Sequence, residues 1–175
     1  MDLAARLNQL DRDDAQRALA TCCASRAWVT KMLERRPFGS PEAVFLAAAE
    51  IWAGLGRPDI LEAFAGHPKI GENLDTLRER FAPTSGWSRE EQAGVMRASD
   101  AVLEDLRQRN LGYQERFGYI FIVCATGKSA EEMLALLKAR LQHDPDHELA
   151  VAAAEQAKIT RLRLEKLVTP PKEQA

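Results

Sequence analysis

The stretch SGWSREEQAGVMRASDAVLEDLRQRN, residues 85–110, predicts one long amphipathic helix. Ser88 is followed three residues later by Glu91, which is the pattern of a capping box at a helix start. On a helical wheel with Glu91 at zero, four apolar residues lie within about 60° of it: Val95, Ala98, Val102 and Leu106. The stripe predicts that this helix packs against other elements, with Glu91 at its beginning.

The sequence on both sides of this stretch also has mostly helical patterns. Start and stop signals of the expected kinds, capping Ser or Asp residues and terminating Gly or Pro residues, divide it into further segments. Before the long helix, the predicted helices begin at Asp11 or Asp13, at Ser25 and at Ser40 with Pro41, and the last two of these end by Pro37 and at Gly54 or Gly56. A short helix then begins at Arg57 and ends at Gly66 and Pro68, and another begins at Thr76. After the long helix, helices begin at Ser129 with Glu132 and at Asp144 with Pro145, and the last one ends near Val168.

One apolar segment cannot be assigned to a helix from these signals. GYIFIVCATGKS, residues 118–129, is compatible with a strand, a buried helix or an extended linker. The remaining connections are short. We therefore predict an all-α fold, a compact single-domain bundle of about seven to nine helices over residues 1–168, followed by a polar tail at 169–175.

Composition excludes several classes of protein. The 175 residues are 46% hydrophobic and 29% charged, with a net charge of −2, which is typical of one globular domain. A chain without basic excess is poorly suited to neutralise phosphates, so we expect no nucleic-acid partner. No window approaches ~18 consecutive apolar residues, so we expect no membrane partner either.

The cysteines and the N-terminus indicate a cytoplasmic location. Cys22, Cys23 and Cys124 are odd in number and lack CxxC spacing, which disfavours a disulfide framework or a zinc site. The start MDLAARLNQLDRDDAQ lacks the basic and apolar regions of a signal peptide. We expect reduced thiols in a cytoplasmic protein.

An arginine lies on the apolar face of the last predicted helix. With Ile159 at zero, Leu149, Ala152, Gln156 and Leu167 fall within about 80°. Arg163 falls near 40°, inside this stripe, whereas Arg161 falls near 200° on the opposite side. Arg163 is therefore predicted to point inward and to need a polar partner, because an unpaired buried charge is costly.

The corner AGHPKIGE, residues 65–72, places His67 just beyond a short helix. Such a corner can hold the imidazole over a cavity. We hypothesise that His67, Glu91 and Arg163, with Ser88 and Gln92, line one pocket that binds an anion and moves a proton. The structural alternatives are a capping role for His67, a capping-box role alone for Glu91, and an ion pair with another helix for Arg163.

Other motifs are weaker. TGKS at 126–129 lacks the first glycine of a phosphate-binding loop and is better explained as a helix start capped by Ser129. His143 and His147 are four residues apart, but no further ligand cluster accompanies them, so no metal site is predicted. The Cys22–Cys23 pair is interpreted as core filling.

Four segments together resemble a known family. GHPKIG, SREEQAG, ERFGYIFIVCATGKSAEEMLALLKARLQHD and ELAVAAAEQAKITRLRLEKL resemble, in order and spacing, the OHCU decarboxylases, where OHCU is 2-oxo-4-hydroxy-4-carboxy-5-ureidoimidazoline. The resemblance covers about residues 10–168. It implies an all-α carboxy-lyase of purine catabolism that converts OHCU to (S)-allantoin without a cofactor, and it suggests a homodimer.

The resemblance also implies roles for particular residues. The catalytic pair would be His67 and Glu91. The substrate-binding residues would be Pro68, Ser88, Gln92, Phe121, Ile122 and Arg163. Tyr119 and Ile120 depart from the commoner family residues, in a segment whose backbone the resemblance leads us to expect in contact with the substrate. Arg163 is also the arginine that the helical wheel places inward.

Two other functions are compatible with the residues. A helical interaction module would bury the same polar side chains for structure and would present an apolar groove elsewhere. A related decarboxylase or hydrolase would act on another ureido acid. Activity on freshly made OHCU, compared with other ureido acids, distinguishes these functions.

Overall fold

The fold is all-α, as the sequence predicts. A computed structural model describes residues 1–68, 75, 77, 78 and 89–168, with the backbone alone over residues 89–99. Within these ranges eight helices have defined bounds, residues 75, 77 and 78 are also helical, and there is no strand. In chain order they are α1 (Leu3–Gln9), α2 (Arg12–Cys22), α3 (Arg26–Glu34), α4 (Pro41–Ala53), α5 (Arg57–Ala65), α6 (Arg89–Phe117), α7 (Ala130–Arg140) and α8 (Pro145–Lys166).

The predicted caps are observed at most helix starts. Asp11, Ser25 and Ser40 each accept a hydrogen bond from a backbone N–H in the first turn of α2, α3 and α4. Ser129 and Glu132 form a complete capping box at the start of α7. These contacts satisfy N–H groups that lack a partner within the helix, so short polar residues fix where each helix begins.

Two features differ from the prediction, and the structure decides between the alternatives left open for a third. An additional short helix, α1, begins the chain, where Asp2 accepts a hydrogen bond from Ala5 N at 2.8 Å. Helix α6 continues beyond Asn110 to Phe117, because Tyr113 and Phe117 are buried and this packing offsets the cost of Gly112 within the helix. The segment 118–129 is neither helix nor strand, which selects the extended-linker alternative.

The chain divides into two compact units. The first comprises residues 1–67, 122–124 and 153–175, and the second comprises 68–121 and 125–152. In the first unit, α3 packs with α2, α4 and α5. Its core is centred on the fully buried Trp28, whose indole N–H donates to Ala48 O at 3.1 Å. The adjacent Cys22 and Cys23 are buried and unoxidised, in agreement with their interpretation as core residues.

The second unit is built on the packing of α6 against α7. An aromatic cluster fills its core, with the Tyr113 ring 4.7 Å from that of Phe117 and 5.2 Å from that of Phe121. Arg140 lies over the Phe121 ring at 4.6 Å. None of the helices within the described ranges combines the length and apolarity needed to cross a membrane.

Candidate functional site

The position of His67 follows from the way α5 ends. Gly66 caps the helix, and His67 N donates to Phe64 O at 3.1 Å, which closes one last turn. Pro68 comes next and has no N–H to continue the helix. The imidazole of His67 is thereby carried on a tight corner, where it is half-buried, whereas Pro68 is exposed.

Arg163 lies on the face of α8 that the helical wheel predicts, and its guanidinium reaches the His67 ring. Its guanidinium lies 3.5 Å from His67 Nδ1, and it also donates to Thr21 O at 3.3 Å and Cys22 O at 3.4 Å. Arg161 on the other face of α8 is exposed, where it pairs with Glu165 at 3.1 Å. No carboxylate within the described ranges forms an ion pair with Arg163, so its partners there are neutral acceptors.

Gln156 is a member of this cluster that sequence reasoning did not select. It is fully buried, and its Oε1 lies 2.5 Å from His67 Nε2. Its amide nitrogen donates to Thr160 Oγ1 at 3.1 Å. The available signal was a long amide on the apolar stripe of α8, since a buried polar side chain needs a partner.

The surroundings favour a neutral imidazole. Burial lowers the pKa of His67 below its ordinary value near 6.5, and the nearby charge of Arg163 lowers it further. The hydrogen bond with Gln156 acts in the opposite direction, although burial is the largest contribution. A neutral imidazole at pH 7 can accept a proton on whichever ring nitrogen is unprotonated.

A hollow opens beside the guanidinium. Its volume is about 510 Å³, and its walls belong to the first unit: Ala20, Thr21, Gly66, Arg163, Lys166 and Leu167. Arg163 and Lys166 give it two cationic groups, and the other walls are formed by three small residues and Leu167. This arrangement is suited to a small anionic ligand.

Segment 118–129, where backbone contacts with the substrate are expected, is hydrogen-bonded to α8 through Cys124. Cys124 N donates to Glu155 Oε2 at 2.7 Å, within the first unit. Ile122, in the same unit, is buried with an exposed fraction of only 2%. Phe121 is also buried and belongs to the aromatic cluster of the second unit. Both side chains are therefore core residues, and contact with a substrate would come from their backbone.

The other predicted site residues are not placed by the structure. Ser88 and the tail at 169–175 lie outside the described residues. The same is true of the predicted helix at 76–81, of which only residues 77 and 78 are described. Glu91 and Gln92 lie in the first turn of α6, where only the backbone is described. Their part in the site stays a prediction.

The weaker motifs have structural explanations. Gly127 has a φ of +76° in the turn before α7, and Ser129 caps that helix, so TGKS is a helix entry. His143 Nδ1 contacts Glu148 Oε2 at 2.7 Å. The described residues contain no cluster of three or more potential metal ligands.

Replacing Gly66 with alanine is expected to disturb the corner that carries His67. A Cβ at this position would overlap Ala24 Cβ, so the α2–α3 connection or the end of α5 would have to move. We expect a loss of about 1–3 kcal/mol in the free energy of unfolding. Urea denaturation measures this change in the free energy of unfolding.

The matched control is Gly112→Ala, whose added Cβ meets no atom within 4 Å and which should stabilise α6 by about 0.5–1 kcal/mol. Equal effects of the two substitutions would contradict a tight corner.

The chain is similar to several known proteins in sequence and in structure. A solved structure of OHCU decarboxylase, determined in the presence of (S)-allantoin, is similar with a TM-score of 0.69 and 37% identity, covering 86% of this chain and 96% of that chain. The 2-oxo-4-hydroxy-4-carboxy-5-ureidoimidazoline decarboxylase of Halalkalicoccus jeotgali is 29% identical over 167 residues, covering 94% of this chain and 90% of that protein.

A longer relative is also similar. The uric acid degradation bifunctional protein TTL of Arabidopsis thaliana is 38% identical over 148 residues, or 83% of this chain. This chain spans only 45% of the length of that relative. The family model described as OHCU decarboxylase matches residues 8–165. Since the match extends over most of the 175 residues, the chain belongs to the OHCU decarboxylase family.

Proposed function

We propose that this protein is a carboxy-lyase that converts OHCU to (S)-allantoin in urate degradation, without a cofactor. The observation that carries the proposal is the His67 imidazole held between Arg163 and Gln156 beside an open cationic hollow. Membership of the OHCU decarboxylase family supplies the substrate class. The site supplies a cation for an anionic ring and a neutral base for its protons.

The chemistry requires little beyond binding and proton management. In OHCU the carboxylate is attached to ring carbon C4, which also carries the hydroxyl, and the neighbouring C5 is double-bonded to a ring nitrogen. When the bond from C4 to the carboxylate breaks, carbon dioxide leaves and the electron pair forms a C4–C5 double bond. The C5–N π electrons move to the ring nitrogen, which takes up a proton.

A second step completes the product. The hydroxyl on C4 loses its proton and becomes a carbonyl, while C5 gains a proton. Delivery of that proton to one face of a held ring gives the S configuration, whereas the reaction in free solution gives both. General acid–base groups positioned at the hydroxyl and at C5 typically accelerate such steps by ~10²–10⁴-fold.

The residues of the proposed site bind the substrate, move its protons or orient it. Arg163 binds the polar groups of the ring, and His67 manages the proton at the hydroxyl. Glu91 is proposed as the acidic partner of His67. The remaining proposed contacts orient the substrate through side-chain or backbone hydrogen bonds and packing: Pro68, Ser88, Gln92, Phe121 and Ile122. Transfer of the carboxylate from water to a confined site favours its loss as neutral carbon dioxide.

A cytoplasmic location and a homodimer belong to the same proposal. The three thiols are reduced, and burial raises the pKa of Cys22 to about 11, which keeps this thiol protonated at neutral pH. Besides a second copy of the chain, the proposed partner is the small-molecule substrate, with no nucleic acid and no membrane. Sedimentation of the purified protein at several concentrations tests the dimer.

A chiral assay tests the proposed function. OHCU generated freshly from urate is mixed with the protein, and the circular dichroism of the allantoin product is followed. We expect an enantiomeric excess of (S)-allantoin and a faster approach to the final signal than in buffer. Product that stays racemic, at the rate seen without protein, would exclude the decarboxylase and favour an interaction module. Faster turnover of another ureido acid in a parallel panel would redirect the substrate assignment.

A further inference from the structure

The two nitrogens of the His67 ring have different surroundings. Nε2 is directed toward Gln156, which is completely buried in the first unit. Nδ1 is directed toward Arg163, a residue that lines the open hollow. Arg163 therefore connects the Nδ1 side of the ring to the hollow, whereas the Nε2 side is occupied by Gln156.

The hydrogen-bond partners favour one position for the proton on this ring. A guanidinium has only donors, so Arg163 requires a lone pair on His67 Nδ1. A neutral imidazole with an unprotonated Nδ1 carries its proton on Nε2, which then donates to Gln156 Oε1 at 2.5 Å. The resulting species is the Nε2–H tautomer.

The other end of the Gln156 side chain is consistent with Oε1 as the acceptor for His67. The Gln156 amide nitrogen donates to Thr160 Oγ1, which leaves Oε1 as the atom that faces the imidazole. Thr160 lies one turn further along α8, and its hydroxyl also contacts the Cys23 thiol in the core. Gln156 is thus hydrogen-bonded to the buried Thr160 and to His67, and in this arrangement Oε1 rather than the NH₂ group faces the imidazole.

We propose that Gln156 is a positioning residue, which holds His67 as the Nε2–H tautomer and leaves Nδ1 as the atom that accepts a proton from the substrate. This inference rests on the proposed function for its chemical consequence. When the ring of the substrate draws the Arg163 guanidinium toward its own oxygen atoms, the lone pair on Nδ1 becomes available. The base is then the nitrogen nearer to the hollow.

The first test needs no substrate. In ¹⁵N-labelled protein, the two-bond ¹H–¹⁵N spectrum shows which ring nitrogen of each histidine carries a proton. The chain has three histidines, so the His67 signals are identified by their loss in His67→Asn. At pH 8 we expect the proton on Nε2 of His67 in the wild-type protein. A proton on Nδ1 would overturn the proposal.

Two variants test the role of Gln156. Gln156→Leu removes the acceptor, so both tautomers should appear in the spectrum and kcat should fall at least about 10-fold, with KM changed less than kcat. Gln156→Glu keeps an acceptor and places a carboxylate next to Nε2. An opposite charge at this distance should raise the pKa of His67 by about 1–3 units.

The pH profile separates positioning from a merely structural role. Because the base must be unprotonated, activity is lost as pH falls through the pKa of His67. Gln156→Glu should therefore move the acid limb of kcat/KM to higher pH and keep the Nε2–H tautomer above the new pKa. An acid limb unmoved in Gln156→Glu while the NMR pKa of His67 rises would overturn the assignment of His67 as the base.

Controls keep the outcome interpretable. Gln16→Leu makes the same substitution on the exposed face of α2 and should change neither the spectrum nor kcat. Far-UV circular dichroism verifies the fold of each variant. If Gln156→Leu leaves the tautomer and kcat unchanged, Gln156 is not a positioning residue. If the wild-type protein shows the expected tautomer but no decarboxylation, the proposed function fails while the assignment of the proton stands.

Discussion

Replacement of His67 by alanine is expected to lower the rate of OHCU decarboxylation by ~10²–10⁴-fold, with the helical content unchanged. The imidazole is half-buried at the end of α5, and its loss removes both a base and a partner of the buried Gln156. The residual enzymatic rate would come from binding and orientation by the other groups. Initial rates of chiral product formation measure the effect.

A second histidine provides the matched control. His147 is exposed in the first turn of α8, and His147→Ala should leave the rate within about twofold of the wild type, as expected for an exposed side chain outside the proposed site. A His67→Ala variant with normal folding and normal turnover would remove the imidazole from the mechanism. A similar loss in both variants would indicate a general effect on the protein rather than a role for His67.

Replacement of Glu148 by alanine is expected to cost about 3–5 kcal/mol in the free energy of unfolding. This carboxylate is fully buried in the second unit. It accepts hydrogen bonds from Arg140 Nε at 2.8 Å and from the Tyr113 hydroxyl, and it contacts His143 Nδ1 at 2.7 Å. Truncation to alanine would remove the central acceptor from three neighbouring groups, one of which is a buried cation.

The expected cost is large because loss of one partner of a buried ion pair leaves the other charge buried and uncompensated. Arg140 is only 5% exposed, so water cannot replace the carboxylate without opening the core around Phe121. Burial, followed by the hydrogen bond to Glu148, raises the pKa of Tyr113, so its hydroxyl stays protonated and serves as a donor. Urea denaturation of the wild type and the variant measures the cost.

An exposed carboxylate on the same helix is the control. Glu165→Ala breaks an i, i+4 pair with Arg161 whose side chains are 43% and 62% exposed. Such pairs contribute about 0.3–0.5 kcal/mol, so the control should differ little from the wild type. A Glu148→Ala variant as stable as Glu165→Ala would contradict the view that this network holds α6, α7 and the start of α8 together.

Structural features were predicted best from the sequence where the interactions that form them join residues close together in the chain. Ser129 and Glu132 are three residues apart, and their reciprocal hydrogen bonds depend on nothing beyond the first turn of α7. Arg163 was placed inward by periodicity alone, and the structure brings its guanidinium to His67, 96 residues away along the chain. Periodicity gives the face on which a side chain lies, whereas it does not give the partner.

The features that sequence reasoning missed depend on such partners. Gln156 was found on the apolar stripe, but its hydrogen bond to His67 joins residues 89 positions apart and has no local signature. The buried contact of Tyr113 with Glu148 is of the same kind. Segment 118–129 left three conformations open because its position depends in part on the tertiary contact of Cys124 with Glu155.

The His67 ring contacts α8 at two positions, Gln156 and Arg163, which are seven residues apart. Seven residues correspond to two turns, so both side chains leave the helix in nearly the same direction, about 10.5 Å apart along its axis. One extra amino acid inserted between them would rotate the guanidinium by about 100° and carry it off the imidazole. In homologues, length changes should therefore accumulate in the connections and spare this interval, even where the residues themselves are exchanged.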